Sequence, residues 1–209
     1  MAFASLIRRR GVALVIAGPS GVGKSSITEG LLAAEPEATR SVSVTTRAPR
    51  AGESEGVHYA FRDPSAFDAL VAAGALLEWA EVFGHRYGTP RASVMQALEE
   101  GRDVLFDIDW QGHRRLRSAL PGDVVSLFVL PDSRTTLEGR LAGRGDLPEV
   151  RARRMVGAAG EIGHWREFDH VLVNQDLEAT IGAVRAILAA ARLVTARQVG
   201  LARFVAGLG

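Results

Sequence analysis

The segment GPSGVGKS, residues 18–25, carries residue types that bind phosphate groups. It matches the pattern G-x-x-x-x-G-K-[ST], in which glycines let successive backbone N–H groups turn toward an anion. In such a loop Lys24 reaches the β and γ phosphates of a nucleoside triphosphate, and the Ser25 hydroxyl ligates Mg²⁺. VALVIA precedes the segment as an expected strand, and SSITEGLLAA follows it as an expected helix. The segment therefore predicts a site for a nucleoside triphosphate and a magnesium ion.

A second metal-binding group is expected at the end of a neighbouring buried strand. VLFDID, residues 104–109, provides two carboxylates where an apolar run ends. Period-two alternation places Asp107 and Asp109 on one face of the expected strand. We predict that Asp107 belongs to the magnesium shell.

The stretch SVTTRAPRAGESEGVHY, residues 43–59, combines hydroxyls, two arginines three positions apart and a tyrosine. Arginine suits phosphate binding because its planar fork meets two phosphate oxygens at once and stays charged. A lone R-x-x-R, however, is more typical of a turn with solvated arginines. The stretch by itself leaves both interpretations open.

Composition restricts the class of protein. The chain has 209 residues, 25 basic and 24 acidic residues, and a 47% hydrophobic fraction, so it can bury one sizeable core with inserted subdomains. A net charge of +1 argues against the broad basic surface of a nucleic-acid binder. The absence of cysteine fits a reducing compartment, and no apolar run reaches the ~18 residues of a membrane span, so we expect a cytoplasmic protein. The five histidines lack metal-ligand spacing, and we expect surface or local structural roles for them.

The elements that would position these groups follow from apolar runs. VALVIA, VLFDI and VVSLFVL read as strands buried on both faces, VLV at residues 171–173 is a fourth, and helical sequence separates them. This alternation predicts a parallel α/β sheet. Between residues 46 and 91 the pattern changes to turns, a short helix and a strand beginning at LLEWAE, which indicates an inserted domain. A second insertion, near residues 143–155, is rich in arginine.

Several motifs together resemble the guanylate kinase family in order and spacing, over about residues 12–190. They are GPSGVGKSS, SVTTRAPRAGE, HYAF, LLEWAEVFGHRYGT, DIDWQG, GRG followed by RRM, and VLVNQD. The resemblance implies a P-loop NTPase-type parallel sheet flanked by helices, with a small inserted GMP-binding domain and an arginine-rich lid. The implied domains are a flexible arm (1–10), a P-loop core (11–45, 92–139 and 158–194), a GMP-binding insertion (46–91), a lid (140–157) and a C-terminal helical extension (195–209).

The resemblance also implies a reaction: Mg²⁺-dependent transfer of the γ-phosphoryl group of ATP to GMP, and to dGMP as well, giving ADP and GDP. The residues implied to hold ATP are Gly18, Pro19, Ser20, Gly21, Val22, Gly23, Lys24, Ser25, Ser26 and Asn174, and those implied to hold Mg²⁺ are Ser25 and Asp107. The GMP phosphate would be held by Ser43, Arg47, Arg50, Tyr59 and Tyr87, and guanine by Glu78, Thr89 and Asp109. Catalytic roles are implied for Lys24, Arg47, Arg140, Arg144 and Arg154.

Three positions depart from the family pattern. Thr89 stands where many relatives have serine, although its hydroxyl can still donate to O6 of guanine. Asn174 lies in VNQD where relatives read VND. The lid is one residue shorter than is common between GRG and RRM, which leaves the register of the lid arginines open.

Two other functions share this scaffold. A guanylate-kinase-like interaction module would have a damaged phosphate loop or lack the lid arginines, and a ribose 1,5-bisphosphate phosphokinase would have a different acceptor pocket. The intact GPSGVGKS, TTRAPR and DIDWQG argue against both. We expect ATP and GMP as partners, with neither nucleic acid nor membrane, and the sequence leaves open whether the chain forms a homo-oligomer.

Overall fold

The computed structural model describes residues 7–50, 52–82, 84–142 and 148–208. Its strands are β1 (Ala13–Ala17), β2 (Ala38–Arg40), β3 (Ser43–Thr45), β4 (Tyr59–Phe61), β5 (Leu76–Val82), β6 (His85–Pro90), β7 (Asp103–Asp107), β8 (Val124–Pro131) and β9 (His170–Asn174). Its α-helices are α1 (Lys24–Ala34), α2 (Pro64–Ala72), α3 (Arg91–Glu99), α4 (Trp110–Ala119), α5 (Arg134–Ala142), α6 (Pro148–Ile162), α7 (Leu177–Arg192) and α8 (Leu201–Ala206).

Five parallel strands form the core sheet, in the order β2-β7-β1-β8-β9. The central strand β1 is completely buried because helices cover both faces of the sheet. Leu14 and Ile16 pack on one face with α1 and α7, while Val15 packs on the other face with α3 and α4. The predicted parallel α/β sheet is confirmed. Its parallel strands bring the loops after β1 and β7 to one edge, where ligands bind in such sheets.

The inserted segment builds a second sheet, in the order β4-β3-β6-β5. Helix α2 begins at Pro64, and the Asp63 side chain caps it by accepting a hydrogen bond from the Ala66 backbone N–H. Phe67 from this helix is fully buried against Val44 and Leu76 of the sheet. The insertion therefore has a small apolar core of its own.

One prediction about strand geometry is wrong. Strand β7 ends at Asp107, and Asp109 lies beyond it as the N-terminal cap of α4, with its Oδ1 2.7 Å from the Gly112 nitrogen. The two carboxylates therefore do not share one face of a strand. The cause is local, because an aspartate that caps a helix satisfies an otherwise unpaired backbone N–H.

The N-terminal segment is anchored to the core from Arg9 onward. Arg9 contacts the fully buried Asp103 at 2.8 Å, and Arg10 contacts Asp123 at 2.7 Å. Asp103 also contacts Arg192 of α7 at 2.6 Å. Arg9 and Arg10, which we expected in a flexible arm, therefore tie the N-terminal segment to the core, and Arg9 and Arg192 share the Asp103 carboxylate. Residues 1–6 of that arm lie outside the described residues.

Two helices form the described part of the lid region. Leu137 and Leu141 of α5 pack against Ala158 of α6, and Gly143–Leu147, including Arg144, lie outside the described residues. Beyond α7, a 3₁₀ turn (Thr195–Arg197) separates α8 from it, so the C-terminal extension is helical but broken. None of the helices in the described residues is long and apolar enough to cross a membrane.

Candidate active site

The loop between β1 and α1 has the backbone shape of a phosphate-binding loop. Gly18 and Gly23 have φ values of 148° and 104°, which side-chain-bearing residues rarely adopt. A Cβ at Gly18 would also lie 2.3 Å from the Val129 carbonyl oxygen. Gly23 is the N-cap of α1 and offers no side-chain cap, so the first backbone N–H groups of the helix can bind an anion.

Lys24 lies over this loop. Its Nζ donates hydrogen bonds to the carbonyl oxygens of Gly18 at 2.8 Å and Pro19 at 3.3 Å. These contacts hold the ammonium group against the loop and place its positive charge at the candidate phosphate site.

Ser25 and Asp107 meet at the carboxyl edge of the core sheet. The Ser25 hydroxyl donates to Oδ2 of Asp107 at 3.3 Å, and both side chains are exposed. The described residues contain no cluster of three His, Cys, Asp or Glu side chains able to hold a metal ion. Mg²⁺ commonly uses one or two carboxylates together with substrate phosphates and water, so this pair of oxygen donors fits it.

One backbone carbonyl group of the phosphate loop accepts hydrogen bonds from two side chains. The Val22 oxygen accepts from Nη1 of Arg140 at 3.0 Å and from Nδ2 of Asn174 at 2.8 Å. Thr180 then donates to Oδ1 of Asn174 at 3.0 Å. Asn174 is 3% exposed, so its amide supports the loop in this structure, and a contact with adenine remains a prediction.

Arg47 is the centre of a cluster in the insertion. It is buried, forms two hydrogen bonds to Glu53 at 2.7 and 2.9 Å, and lies 5.3 Å from the centre of the Tyr59 ring. The Glu53 carboxylate raises the pKa of Arg47 above its usual range. Tyr59 and Tyr87 pack edge to face at 5.9 Å. The cluster thus holds a guanidinium that stays protonated, paired with the Glu53 carboxylate, beside two phenol groups.

The remaining candidate phosphate ligands lie close to this cluster in sequence or in the sheet. Ser43 is opposite Tyr59 in the parallel pairing of β3 and β4. Arg50 is exposed in the loop that follows, and its backbone N–H donates to Glu53 at 2.8 Å. Glu53 therefore orders both arginine positions of the stretch.

Glu78 and Thr89 form a pair across β5 and β6. The Thr89 hydroxyl is buried and donates to Oε1 of Glu78 at 2.6 Å. Burial raises the pKa of Glu78, an effect opposed by the Thr89 hydrogen bond and by the Arg115 charge. The second carboxylate oxygen of Glu78 has no hydrogen-bond partner in the described part of the chain, so it can accept from a ligand.

The two sheets place these groups near one another. The charge of Asp107 acts on Tyr59, and the charge of Asp109 acts on Glu78. The candidate acceptor groups of the insertion therefore face the carboxyl edge of the core sheet, where the phosphate loop lies.

Three charged residues of the site went unrecognised in the sequence. Glu53 orients Arg47, Arg115 lies beside Glu78, and Glu161 of α6 lies near the phosphate loop, where burial raises its pKa and the Lys24 charge opposes the shift. Glu53 follows TTRAPRAG directly and could have been found as a carboxylate beside two arginines. The other two carry no local signal. Arg154 is partly buried on α6.

A mononucleotide-binding loop at the carboxyl edge of a parallel sheet, with helices on both faces, defines a P-loop NTPase-type fold. The family model for guanylate kinase matches residues 10–191. Guanylate kinases of Granulibacter bethesdensis and Gluconobacter oxydans are 60% and 61% identical to the chain, over 96% and 95% of it and 94% and 96% of those proteins. A crystal structure of guanylate kinase from Anaplasma phagocytophilum superimposes with a TM-score of 0.78, at 38% identity and 96% coverage of both chains. The chain belongs to the guanylate kinase family and is a nucleoside monophosphate kinase.

Proposed function

We propose that the protein catalyses Mg²⁺-dependent transfer of the γ-phosphoryl group of ATP to GMP or dGMP, giving ADP and GDP or dGDP, in purine nucleotide metabolism of the cytoplasm. The observation that carries this proposal is the Glu78–Thr89 pair beside the arginine and tyrosine cluster, across from the phosphate loop. This arrangement offers separate groups for a guanine base, its phosphate and a second nucleotide.

On the donor side, the N–H groups of residues 18–26 and the Lys24 ammonium would bind the phosphates of ATP. Ser25 and Asp107 would hold Mg²⁺, which neutralises phosphate charge when bound. Arg140 already contacts the loop through Val22. Arg140, Arg144 and Arg154 would gather charge on the equatorial oxygens of the transferring group.

On the acceptor side, Arg47 is suited to bind the phosphate of GMP. Glu53 and the Ala48 carbonyl oxygen, 2.8 Å away, hold its guanidinium in place before any ligand binds. Pre-ordering of this kind reduces the entropy lost on binding. Ser43, Arg50, Tyr59 and Tyr87 would donate further hydrogen bonds to the same phosphate.

Glu78 is suited to select guanine. The N1–H and N2–H₂ groups of guanine are both donors, and a carboxylate can accept from both, with Asp109 near the amino group. Adenine would instead present its unprotonated N1 to the carboxylate, and two acceptors repel. Thr89 donates its single proton to Glu78 here, so donation to O6 of guanine requires this hydroxyl to reorient.

The chemistry requires no general base from the protein. The attacking group is a phosphate oxygen of GMP, which is already anionic near neutral pH, unlike a hydroxyl that must lose a proton. The residues named above therefore act by aligning the two phosphates and stabilising charge.

The proposal is tested by coupled detection of ADP with GMP, dGMP, AMP, ribose 1,5-bisphosphate or no acceptor. We expect fast turnover with GMP and dGMP. Turnover with the ribose bisphosphate alone would indicate another small-molecule kinase, and no turnover with any acceptor would indicate an interaction module.

The Glu78→Gln variant tests the guanine assignment. Glutamine has one acceptor oxygen in place of two, so one donor of guanine is left unpaired. We expect kcat/KM for GMP to fall roughly ten- to several-hundred-fold, the equivalent of an unpaired buried donor beside a lost charge. Activity with AMP should change little or rise slightly, because the new NH₂ can donate to adenine N1.

Glu81→Gln is the matched control, since Glu81 lies on the same strand and is exposed. It should keep wild-type kinetics. A folded Glu78→Gln protein that retains the full preference for GMP over AMP would show that another group reads the base.

A further inference from the structure

Arg115 connects the core to the inserted sheet. It lies on α4, and its Nη1 donates a hydrogen bond to the backbone carbonyl oxygen of Trp79 in β5. Helix α4 packs against β5 at this point. Trp79 directly follows Glu78, so the contact holds the strand one residue from the proposed guanine-reading carboxylate.

Arg115 differs from its neighbours on α4 in what it binds. Arg114 forms two 2.6 Å hydrogen bonds with Glu167, and Arg117 binds Asp169 and Ser126, all within the core. The described hydrogen bond of Arg115 goes to a carbonyl group of the insertion. Its positive charge is therefore not neutralised by an ion pair with a described carboxylate.

The charged groups that face Glu78 have opposite signs. Arg115 approaches from α4 and favours the ionised carboxylate, whereas Asp109, at the start of the same helix, disfavours it. The Thr89 hydroxyl approaches from β6 and also favours ionisation. Arg115 is the one cation among these three groups.

We propose that Arg115 is a specificity-positioning residue for the acceptor nucleotide: it ties β5 to α4 and places a positive charge beside Glu78, so that this carboxylate stands ionised and aligned for a guanine base. The inference rests on the proposed function of Glu78. Arg115 acts through Glu78 and the strand that carries it, without contacting the reacting phosphates.

Two substitutions separate the effect of the hydrogen bond to Trp79 from the effect of the positive charge. Arg115→Gln keeps a donor for the Trp79 carbonyl oxygen but removes the charge. Arg115→Lys keeps the charge and donates from a single ammonium group in place of the guanidinium. Arg114→Gln is the control, since it removes a neighbouring charge that pairs with Glu167. Both side chains are exposed, so the three variants should fold, and thermal unfolding checks this.

For Arg115→Gln we expect KM for GMP to rise about three- to thirtyfold, with kcat and KM for ATP within twofold of wild type. Protonation of Glu78 removes an acceptor for guanine, so KM for GMP rises as the pH falls. This rise is the acid limb of the plot of KM against pH. Loss of the Arg115 charge raises the pKa of Glu78 further, so the acid limb should move to higher pH. Arg115→Lys and Arg114→Gln should keep the wild-type acid limb.

The inference is overturned if Arg115→Gln leaves both KM for GMP and the acid limb unchanged, if Arg115→Lys moves the limb as far as Arg115→Gln does, or if KM for ATP rises equally. Wild-type protein assayed with GMP and AMP separates this failure from a wrong function. If wild type does not phosphorylate GMP, the proposed function fails; if it does and Arg115→Gln matches it, only the role of Arg115 fails.

Discussion

Burial changes the protonation of individual side chains, and His113 is the clearest case outside the site. Its ring is 1% exposed and stacks on Phe168 at 4.1 Å. Its Nε2 accepts from Nε of Arg117 at 3.2 Å, which leaves the proton on Nδ1. Burial lowers the pKa of His113 to about 4. The histidine therefore has a local structural role, as its lack of metal-ligand spacing suggested.

The first prediction concerns stability and pH. An unfolded histidine takes up a proton below pH ~6.5, whereas folded His113 resists protonation until about pH 4. Between these values the unfolded state binds more protons, so the free energy of unfolding should fall as the pH falls, with a slope contribution approaching about 1.4 kcal/mol per pH unit. Urea unfolding at several pH values measures this.

His113→Gln supplies the comparison, because glutamine retains an acceptor for Arg117 and does not titrate. The variant should show a flatter pH dependence between about pH 4 and 6.5. The pKa of Glu167 is lowered to about 2, so its carboxylate loses its contribution to the free energy of unfolding at lower pH. That loss can be told apart from the effect of His113. Equal slopes for variant and wild type would contradict the assignment to His113.

Among the elements, those with strong apolar runs could be predicted from the sequence. Strands β1, β7, β8 and β9 lie within one residue of VALVIA, VLFDI, VVSLFVL and VLV because buried parallel strands need apolar side chains on both faces. Strands β2, β3 and β4 were missed because each has only three residues. Strand β6, HRYGTP, contains a glycine and a proline that normally indicate a turn.

The residues of the candidate site divide in the same way, into those that a local sequence pattern predicts and those that it does not. Residues 18–25 are contiguous, spanning the loop after β1 and the start of α1, so a local pattern could specify them. Glu161 and Arg115 reach the site from α6 and α4, and no local spacing in the sequence records which residues those helices face across the fold. Asp109 was misplaced because capping depends on where the helix begins, which a two-residue alternation does not indicate.

A second prediction tests the hydrogen bonds by which Asn174 supports the phosphate loop. Asn174→Ala removes one of the two donors to the Val22 oxygen and one of the two acceptors near the Thr180 hydroxyl, while Arg140 and the Asp176 carbonyl oxygen remain as partners. We expect the free energy of unfolding to fall by about 0.5–1.5 kcal/mol, the net value of an ordinary hydrogen bond, and KM for ATP to rise several-fold, while KM for GMP stays within twofold. Thermal unfolding and steady-state kinetics would measure these changes.

Gln175→Ala is the control, because Gln175 is the exposed next residue in the same segment. It should leave both stability and KM for ATP unchanged. Loss of stability in Asn174→Ala with an unchanged KM for ATP would mean that the amide supports the fold without shaping the phosphate loop.

At the level of the whole molecule, the two proposed nucleotide sites lie on different sheets. The phosphate loop belongs to the five-stranded core, and the Arg47 cluster with Glu78 belongs to the four-stranded insertion, which has its own apolar core. The phosphate loop and the Arg47 cluster are each ordered by local contacts, such as Lys24 with Gly18 and Arg47 with Glu53, and α4 reaches the acceptor side from the core, through Arg115 and Asp109. Binding of one nucleotide should therefore survive damage to the other site.

Lys24→Met tests whether the acceptor site binds GMP independently of the phosphate loop. The variant loses the positive charge proposed to lie over the β and γ phosphates, so turnover should fall at least about a thousandfold, within the range that such electrostatic groups contribute. Calorimetry should give a dissociation constant for GMP within a few-fold of wild type, because the Arg47 cluster and Glu78 are untouched. Circular dichroism must show an intact fold, since Lys24 also binds the carbonyl oxygens of Gly18 and Pro19. If a folded Lys24→Met protein loses GMP affinity together with turnover, the two sites are coupled through the phosphate loop, and the acceptor site is not an independent unit of the insertion.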